Sequence, residues 1–110
     1  MNLERLFVYG TLGLGQPNEH ILSRIGGKWE NGYVIGELYE EGWGAQQGYP
    51  GIRLTATGQK VEGYLFSSDQ LHGHWEALDD FEGVGYERVP TTITLTETRQ
   101  EIEAFIYVLR

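Results

Sequence analysis

Residues 3–9 place apolar side chains on both faces of an extended segment, Leu3, Phe7 and Tyr9 against Leu6 and Val8. The β-branched and aromatic bias predicts a strand that ends at Gly10, and a strand apolar on both faces belongs at the centre of a sheet. Partners for it follow along the chain. Residues 33–39, 52–56, 61–66, 89–96 and 102–109 read as strands, with turn residues at Thr57-Gly58-Gln59-Lys60 and Glu97-Thr98-Arg99-Gln100 between the later pairs. Gly36 marks a bulge or a close backbone approach, and Pro90 confines its end of a strand to an edge or a bulge. The stretch 40–51, with four glycines and Tyr49-Pro50-Gly51, reads as a long irregular connection.

Two short helices complete the pattern. Gln16-Pro17-Asn18-Glu19 opens one over 17–25, with Pro in the first turn, Glu19 near the positive end of the dipole, and Gly26-Gly27 as its stop. Ser67-Ser68-Asp69 offers N-caps for a second that starts at Gln70 and stops near Gly83, in which Leu71, Trp75 and Leu78 recur at helical spacing. Gly73 weakens that helix by about 1 kcal/mol relative to Ala. No repeat, linker or low-complexity tract interrupts the chain, so residues 1–110 are expected to be one domain of α+β class with five or six strands and two helices. The 16 glycines against three prolines suit the turns and close approaches of a β-rich fold.

The formal net charge is −8, which makes nucleic acid a poor partner, because that affinity rests on cations displacing counterions from phosphates. There is no cysteine, so disulfides, thiolate chemistry and Cys-ligated zinc are excluded. No apolar run approaches the ~20 residues of a membrane helix, and the N-terminus lacks a secretory signal pattern. A soluble cytoplasmic protein without membrane contact is expected. His72 and His74, spaced i,i+2, would diverge by about 200° on a helix and so cannot share a metal. Gly10, Gly13 and Gly15 spell neither a dinucleotide nor a P-loop fingerprint.

Five acidic residues crowd between Glu76 and Glu87, and one of them stands apart. At 100° per residue, Glu82 lies within about 40° of Leu71, Trp75 and Leu78, on the apolar stripe, whereas Asp80 lies about 160° from Glu82 and can face water. A carboxyl near a helix end is commonly solvated. One held on an apolar stripe is desolvated, its neutral form is favoured, and its raised pKa suits it to take a proton from an ammonium group near neutrality.

A family resemblance points to the same residue. Phe7-Val8-Tyr9-Gly10-Thr11-Leu12 resembles the YG(S/T)L loop of the γ-glutamylcyclotransferase-like superfamily, which includes γ-glutamylaminecyclotransferase and the plant avirulence-induced proteins; Gly15-Gln16-Pro17-Asn18 resembles the continuation of that loop. Leu78-Asp79-Asp80-Phe81-Glu82-Gly83 followed by Tyr86-Glu87-Arg88-Val89 is similar to the second family signature. Val61-Glu62-Gly63-Tyr64-Leu65-Phe66 and Phe105-Ile106-Tyr107-Val108 are similar to two of its strands. The resemblance runs in order from Leu6 to Val108.

It implies a small mixed β-barrel and the cyclisation of a γ-glutamyl amine or amino acid to 5-oxoproline, with neither metal nor cofactor. Glu82 would be the catalytic carboxylate. Backbone amides around Gly10, Thr11 and Leu12 would hold the substrate, Tyr9 and Tyr107 would line the cavity, and Tyr49 would stand at its rim. Mammalian members are longer, so a rim built from their C-terminal segment is expected to be missing. The partner implied is a small γ-glutamyl molecule, with the protein a monomer or weak homodimer. Two other readings stay open: a pocket that binds a small carboxylate or γ-glutamyl metabolite without turnover, and an interaction module that meets a basic partner through the acid of residues 76–87, which would be strongly salt-dependent.

Overall fold

The computed structural model describes residues 4–10, 12–39 and 51–110. Six strands are present: β1 (Glu4–Val8), β2 (Lys28–Tyr39), β3 (Gly51–Leu54), β4 (Gln59–Ser68), β5 (Tyr86–Leu95) and β6 (Glu101–Leu109). Two helices, α1 (Glu19–Ile25) and α2 (Trp75–Glu82), accompany them, with a 3-10 turn at Leu71–Gly73. Five strands run in the order β2-β4-β1-β6-β5, and β5 returns to β2 to close a barrel; β3 is an extra strand on β2. The α+β barrel with two short helices is therefore the observed fold.

β1 is central, as its two apolar faces require. It pairs antiparallel with β4 and parallel with β6, where Leu6 lies opposite Phe105 and Phe7 opposite Ile106. Phe7 points into a cluster fed by every strand, including Val34, Ile52, Leu65, Ile93 and Ile106, which fills the barrel. Leu6 and Val8 point the other way, into a second cluster in which Leu22 of α1 and Leu78 of α2 cover the outside. Burial of both faces is what lets so short a strand hold the two layers together.

Glycines set where backbones meet. Gly32 sits where β5 closes on β2, opposite Leu95, and a Cβ there would lie 3.0 Å from the Thr94 carbonyl oxygen. Gly36 is a close approach of the kind expected, 2.8 Å from the Arg53 carbonyl oxygen for an added Cβ. Pro90 lies on the part of β5 that pairs with β6 alone, so its missing N–H costs no ladder bond on the β2 side.

Three elements differ from the sequence reading. β2 begins at Lys28, not at residue 33, because Trp29 stacks on Phe66 of β4 at 4.8 Å and extends the ladder back to the Gly26-Gly27 stop. α1 begins at Glu19, whose carboxylate accepts the Gly15 N–H at 2.9 Å; that bond holds it below the usual carboxylate range. The helix expected from Gln70 to near Gly83 ends where expected but is broken at Gly73–His74 into a 3-10 turn and α2. Ser68 serves that turn, accepting the Gln70 N–H at 3.0 Å while its hydroxyl donates to the Gly26 carbonyl at 2.6 Å. His72 and His74 are both exposed, but for a reason other than helical divergence, since neither belongs to α2. Among the described residues no helix is long and apolar enough to cross a membrane. The irregular connection expected over 40–51 lies outside them, apart from Gly51, which opens β3.

Gly63 on β4 gives a direct test of this packing. An added Cβ would fall 2.2 Å from the Val8 carbonyl oxygen and 2.9 Å from the Phe7 ring, whereas at Gly73 nothing lies within 4 Å. Gly63→Ala is expected to lower stability by about 1–3 kcal/mol, and Gly73→Ala to leave it unchanged or raise it by up to about 1 kcal/mol. Urea denaturation measures both, and equal midpoints would contradict the close approach at Gly63.

Candidate functional site

Glu82 is the last residue of α2, half-buried, four positions after Leu78, which is 1% exposed. The i,i+4 relation within α2 puts both on the inward side. Leu71 is buried too, but through the separate 3-10 turn, so the stripe inferred from the sequence holds only from Trp75 onward. Asp80 is exposed. The helix stops at Gly83, with φ of +87° and its N–H donating to the Asp79 carbonyl at 3.0 Å. A positive φ of this size strains any residue with a Cβ.

Burial pushes the Glu82 carboxyl up to about 7, and no hydrogen bond or opposite charge from the described residues offsets it. Its charge is felt by three phenols, Tyr9, Tyr86 and Tyr107. All three titrate above the usual phenol range, first because of burial; the Glu82 charge adds to this for Tyr9 and Tyr86, while for Tyr107 the hydrogen bond to Asp79 and the Asp79 charge come before it. Ionisation of the tyrosines beside a carboxylate is thus opposed, and near neutrality they are neutral hydrogen-bonding groups.

Each phenol arrives from a different place. Tyr9 follows β1; its hydroxyl donates to the Tyr107 carbonyl at 2.6 Å and accepts the Ile52 N–H at 3.2 Å, tying β1, β3 and β6 together at one end of the barrel. Tyr107 lies on the outward face of β6, and its hydroxyl donates to Asp79 at 2.7 Å. Tyr86 opens β5, three residues past Gly83, and is 6% exposed. Tyr9 and Tyr107 face separate hollows. Tyr107 lines one of about 250 Å³ with Asp79, Gly83, Tyr86, Arg88 and Arg110. Tyr9 lines one of about 600 Å³ with Glu37, Tyr39, Lys60 and Glu62.

The loop after β1 adds backbone to this region. Gly10 accepts the Gly13 N–H at 3.1 Å, which turns the chain. Leu12 is 4% exposed and packs in the outer cluster that holds Leu78, Tyr86 and Tyr107, so its side chain is core and only its backbone can face a ligand. Thr11 and Tyr49 lie outside the described residues. Of the residues singled out in the sequence, the fold brings Glu82, Tyr9 and Tyr107 together, with Gly10 and Leu12 on the loop beside them. Tyr86 has no signal of its own in the sequence beyond the Tyr86-Glu87-Arg88-Val89 motif; the structure places it at the start of β5, opposite Leu109. Among the described residues no group of three His, Cys, Asp or Glu side chains is placed to hold a metal ion.

The structure is a closed five-stranded barrel with a desolvated helix-end carboxylate whose charge reaches three phenols. The family model described as "Gamma-glutamyl cyclotransferase, AIG2-like" matches residues 6–110, and the chain belongs to that family. An aig2-like protein from Mus musculus superposes with a TM-score of 0.75 at 25% identity, over 98% of this chain and 78% of that one. YkqA from Bacillus subtilis gives 0.75 at 24% identity, over 99% of this chain and 36% of that one. A structure described as a gamma-glutamyl cyclotransferase gives 0.67 at 17% identity, over 99% of this chain and 68% of that one. The latter two likenesses are of fold. No curated protein was found to match this sequence.

The Glu82 environment predicts a pH signature in stability. Unfolded, Glu82 titrates near 4.5; folded, near 7. Below about pH 4.5 both states hold the proton and the group contributes nothing. Between 4.5 and 7 the folded state keeps a proton that the unfolded state has released, so stability falls as pH rises, and above 7 the full cost remains. Glu82→Gln removes that cost. Its melting temperature is expected to gain on wild type as pH rises from 4.5 to 7.5, by the equivalent of about 2–3 kcal/mol. A constant offset across that range would show that Glu82 is not desolvated.

Proposed function

We propose that this chain cyclises a γ-glutamyl amine or γ-glutamyl amino acid, releasing 5-oxoproline and the free amine. The observation that carries this reading is the Glu82 carboxyl, desolvated, unpaired among the described residues and raised to about 7. A group of that strength can take a proton from an ammonium and return it within one turnover. Family membership supports the same chemistry.

The steps balance without an outside reactant. Glu82 takes a proton from the substrate's α-ammonium, and the freed amine nitrogen attacks the γ-carbonyl carbon. The new C–N bond closes a five-membered ring, and negative charge gathers on the carbonyl oxygen. Glu82 then gives its proton to the departing nitrogen as the original amide C–N bond breaks, takes the second proton from the ring nitrogen to leave the lactam N–H, and passes it to the released amine. Backbone N–H groups of the Gly10–Leu12 loop are suited to hold the substrate's carboxylate and orient its carbonyl. Tyr9, whose hydroxyl proton goes to the Tyr107 carbonyl, and Tyr86 stay neutral and add no charge beside Glu82.

Glu82→Gln tests this. It keeps size and shape but removes the base, so kcat is expected to fall at least about a hundredfold while 5-oxoproline still binds. Wild-type kcat/KM should rise with pH through a midpoint near 7, since only the ionised carboxylate accepts the proton. Asp80→Asn, on the exposed side of α2, is the control. Release of 5-oxoproline followed by mass spectrometry reads all three. Turnover at the wild-type rate in Glu82→Gln would move the chemistry elsewhere, and binding without turnover in wild type would leave a ligand-binding domain.

A further inference from the structure

Asp79 stands three residues before Glu82 and is the most heavily engaged acid of the 76–87 segment. Its carboxylate accepts Arg88 Nε at 3.0 Å, Arg88 Nη2 at 3.2 Å and the Tyr107 hydroxyl at 2.7 Å. Its main-chain carbonyl accepts the Gly83 N–H that ends the helix. Register explains the meeting. Arg88 and Tyr107 lie directly opposite each other on β5 and β6, on the outward face that α2 covers.

The same guanidinium reaches the far end of α2. Its carbon lies 4.4 Å from the ring centroid of Trp75, the first residue of the helix, and 5.0 Å from that of Phe105. Trp75 in turn donates its indole N–H to Glu4 of β1 at 3.1 Å. One arginine therefore touches α2 at two points one turn apart, Trp75 and Asp79, and fastens it to the β5–β6 hairpin. Asp79 is 44% exposed, so the ion pair alone would be weak; the two-pronged geometry and the tyrosine make it directional.

We propose that Asp79 is a positioning residue: held by Arg88 and Tyr107, it anchors the last turn of α2 on the β5–β6 hairpin and so fixes the Glu82 carboxyl among Tyr9, Tyr86 and Tyr107. The inference rests on the proposed role of Glu82 as base. Asp79 touches no reacting atom. It acts in two ways, by keeping water from the Glu82 side of the helix and by occupying the Tyr107 hydroxyl proton, which leaves that phenol no proton to share with Glu82. The groups facing Glu82 are Tyr9 from the end of β1, Tyr86 from β5 and Tyr107 from β6, with the Asp79–Arg88 pair beside Tyr107. Loosening the clamp lets water reach Glu82 and removes the cause of its raised pKa.

The test uses Asp79→Asn, Tyr107→Phe and the double variant in the full chain. Each single variant is expected to lower kcat about tenfold or more with KM changed less than about twofold, and to move the midpoint of the pH–rate profile down by about one unit from its wild-type position. The double variant should match the singles, because both break one clamp. A readout independent of turnover is the stability that Glu82→Gln gains between pH 4.5 and 7.5, which should shrink in the Asp79→Asn background. Unchanged kcat and midpoint, or additive losses in the double variant, would overturn the proposal. If the wild type released no 5-oxoproline, the functional reading would fail, and the clamp would be judged on the stability readout alone: shrinkage supports it, an unchanged gain overturns it.

Discussion

The parallel pairing of β1 with β6 is the constraint on which the rest of the molecule depends. Both strands bury both faces, sending Phe7, Ala104 and Ile106 into the barrel and Leu6, Val8, Tyr107 and Leu109 toward the helices. A strand apolar on two sides cannot lie at an edge, so the sheet must continue around it and the helices must cover it. Closing β5 onto β2 at Gly32 satisfies the first demand; α1 and α2 satisfy the second. Tyr107 sits where the two layers meet. Its carbonyl receives the Tyr9 hydroxyl from the barrel end, and its own hydroxyl reaches α2 through Asp79.

The site follows from that arrangement. A carboxylate at a helix C-terminus faces the negative end of the dipole and normally turns to water. Glu82 does not, because Leu78 fixes the rotation of α2 and the Gly83 turn carries the chain directly into β5, placing Tyr86 beside it. Burial is what raises the group, and among the described residues no cation pairs with it; Asp79, one turn earlier, is paired with Arg88. Two acids on one short helix thus receive opposite treatment. One is paired with Arg88, and the other has no cation partner among the described residues.

Much of this was legible in the sequence, and the misses share a cause. The two-faced pattern of residues 3–9, the Gly26 stop and the close approach at Gly36 are local signals, and each matches the structure. The inward turn of Glu82 was visible because Leu78 is four residues away. The start of β2 was not, since residues 28–32 carry one large apolar side chain, Trp29, whose partner Phe66 is distant in the chain. The break at Gly73–His74 was signalled only as a weakness. The roles of Tyr86 and of the Asp79–Arg88–Tyr107 clamp depend on strand register and on a turn with positive φ, which no periodicity encodes. Thr11 and Tyr49, drawn from the family pattern, lie outside the described residues.

The chemistry proposed for this barrel depends on the protonation of one group in the free protein. Carbon-13 NMR of side-chain carboxyls, with the Glu82 signal assigned by its loss in Glu82→Gln, measures that titration without any substrate. A midpoint close to 7 is the predicted result. A midpoint near 4.5, the value of a solvated glutamate, would mean that the carboxyl faces water and that the base proposed for this barrel is not there.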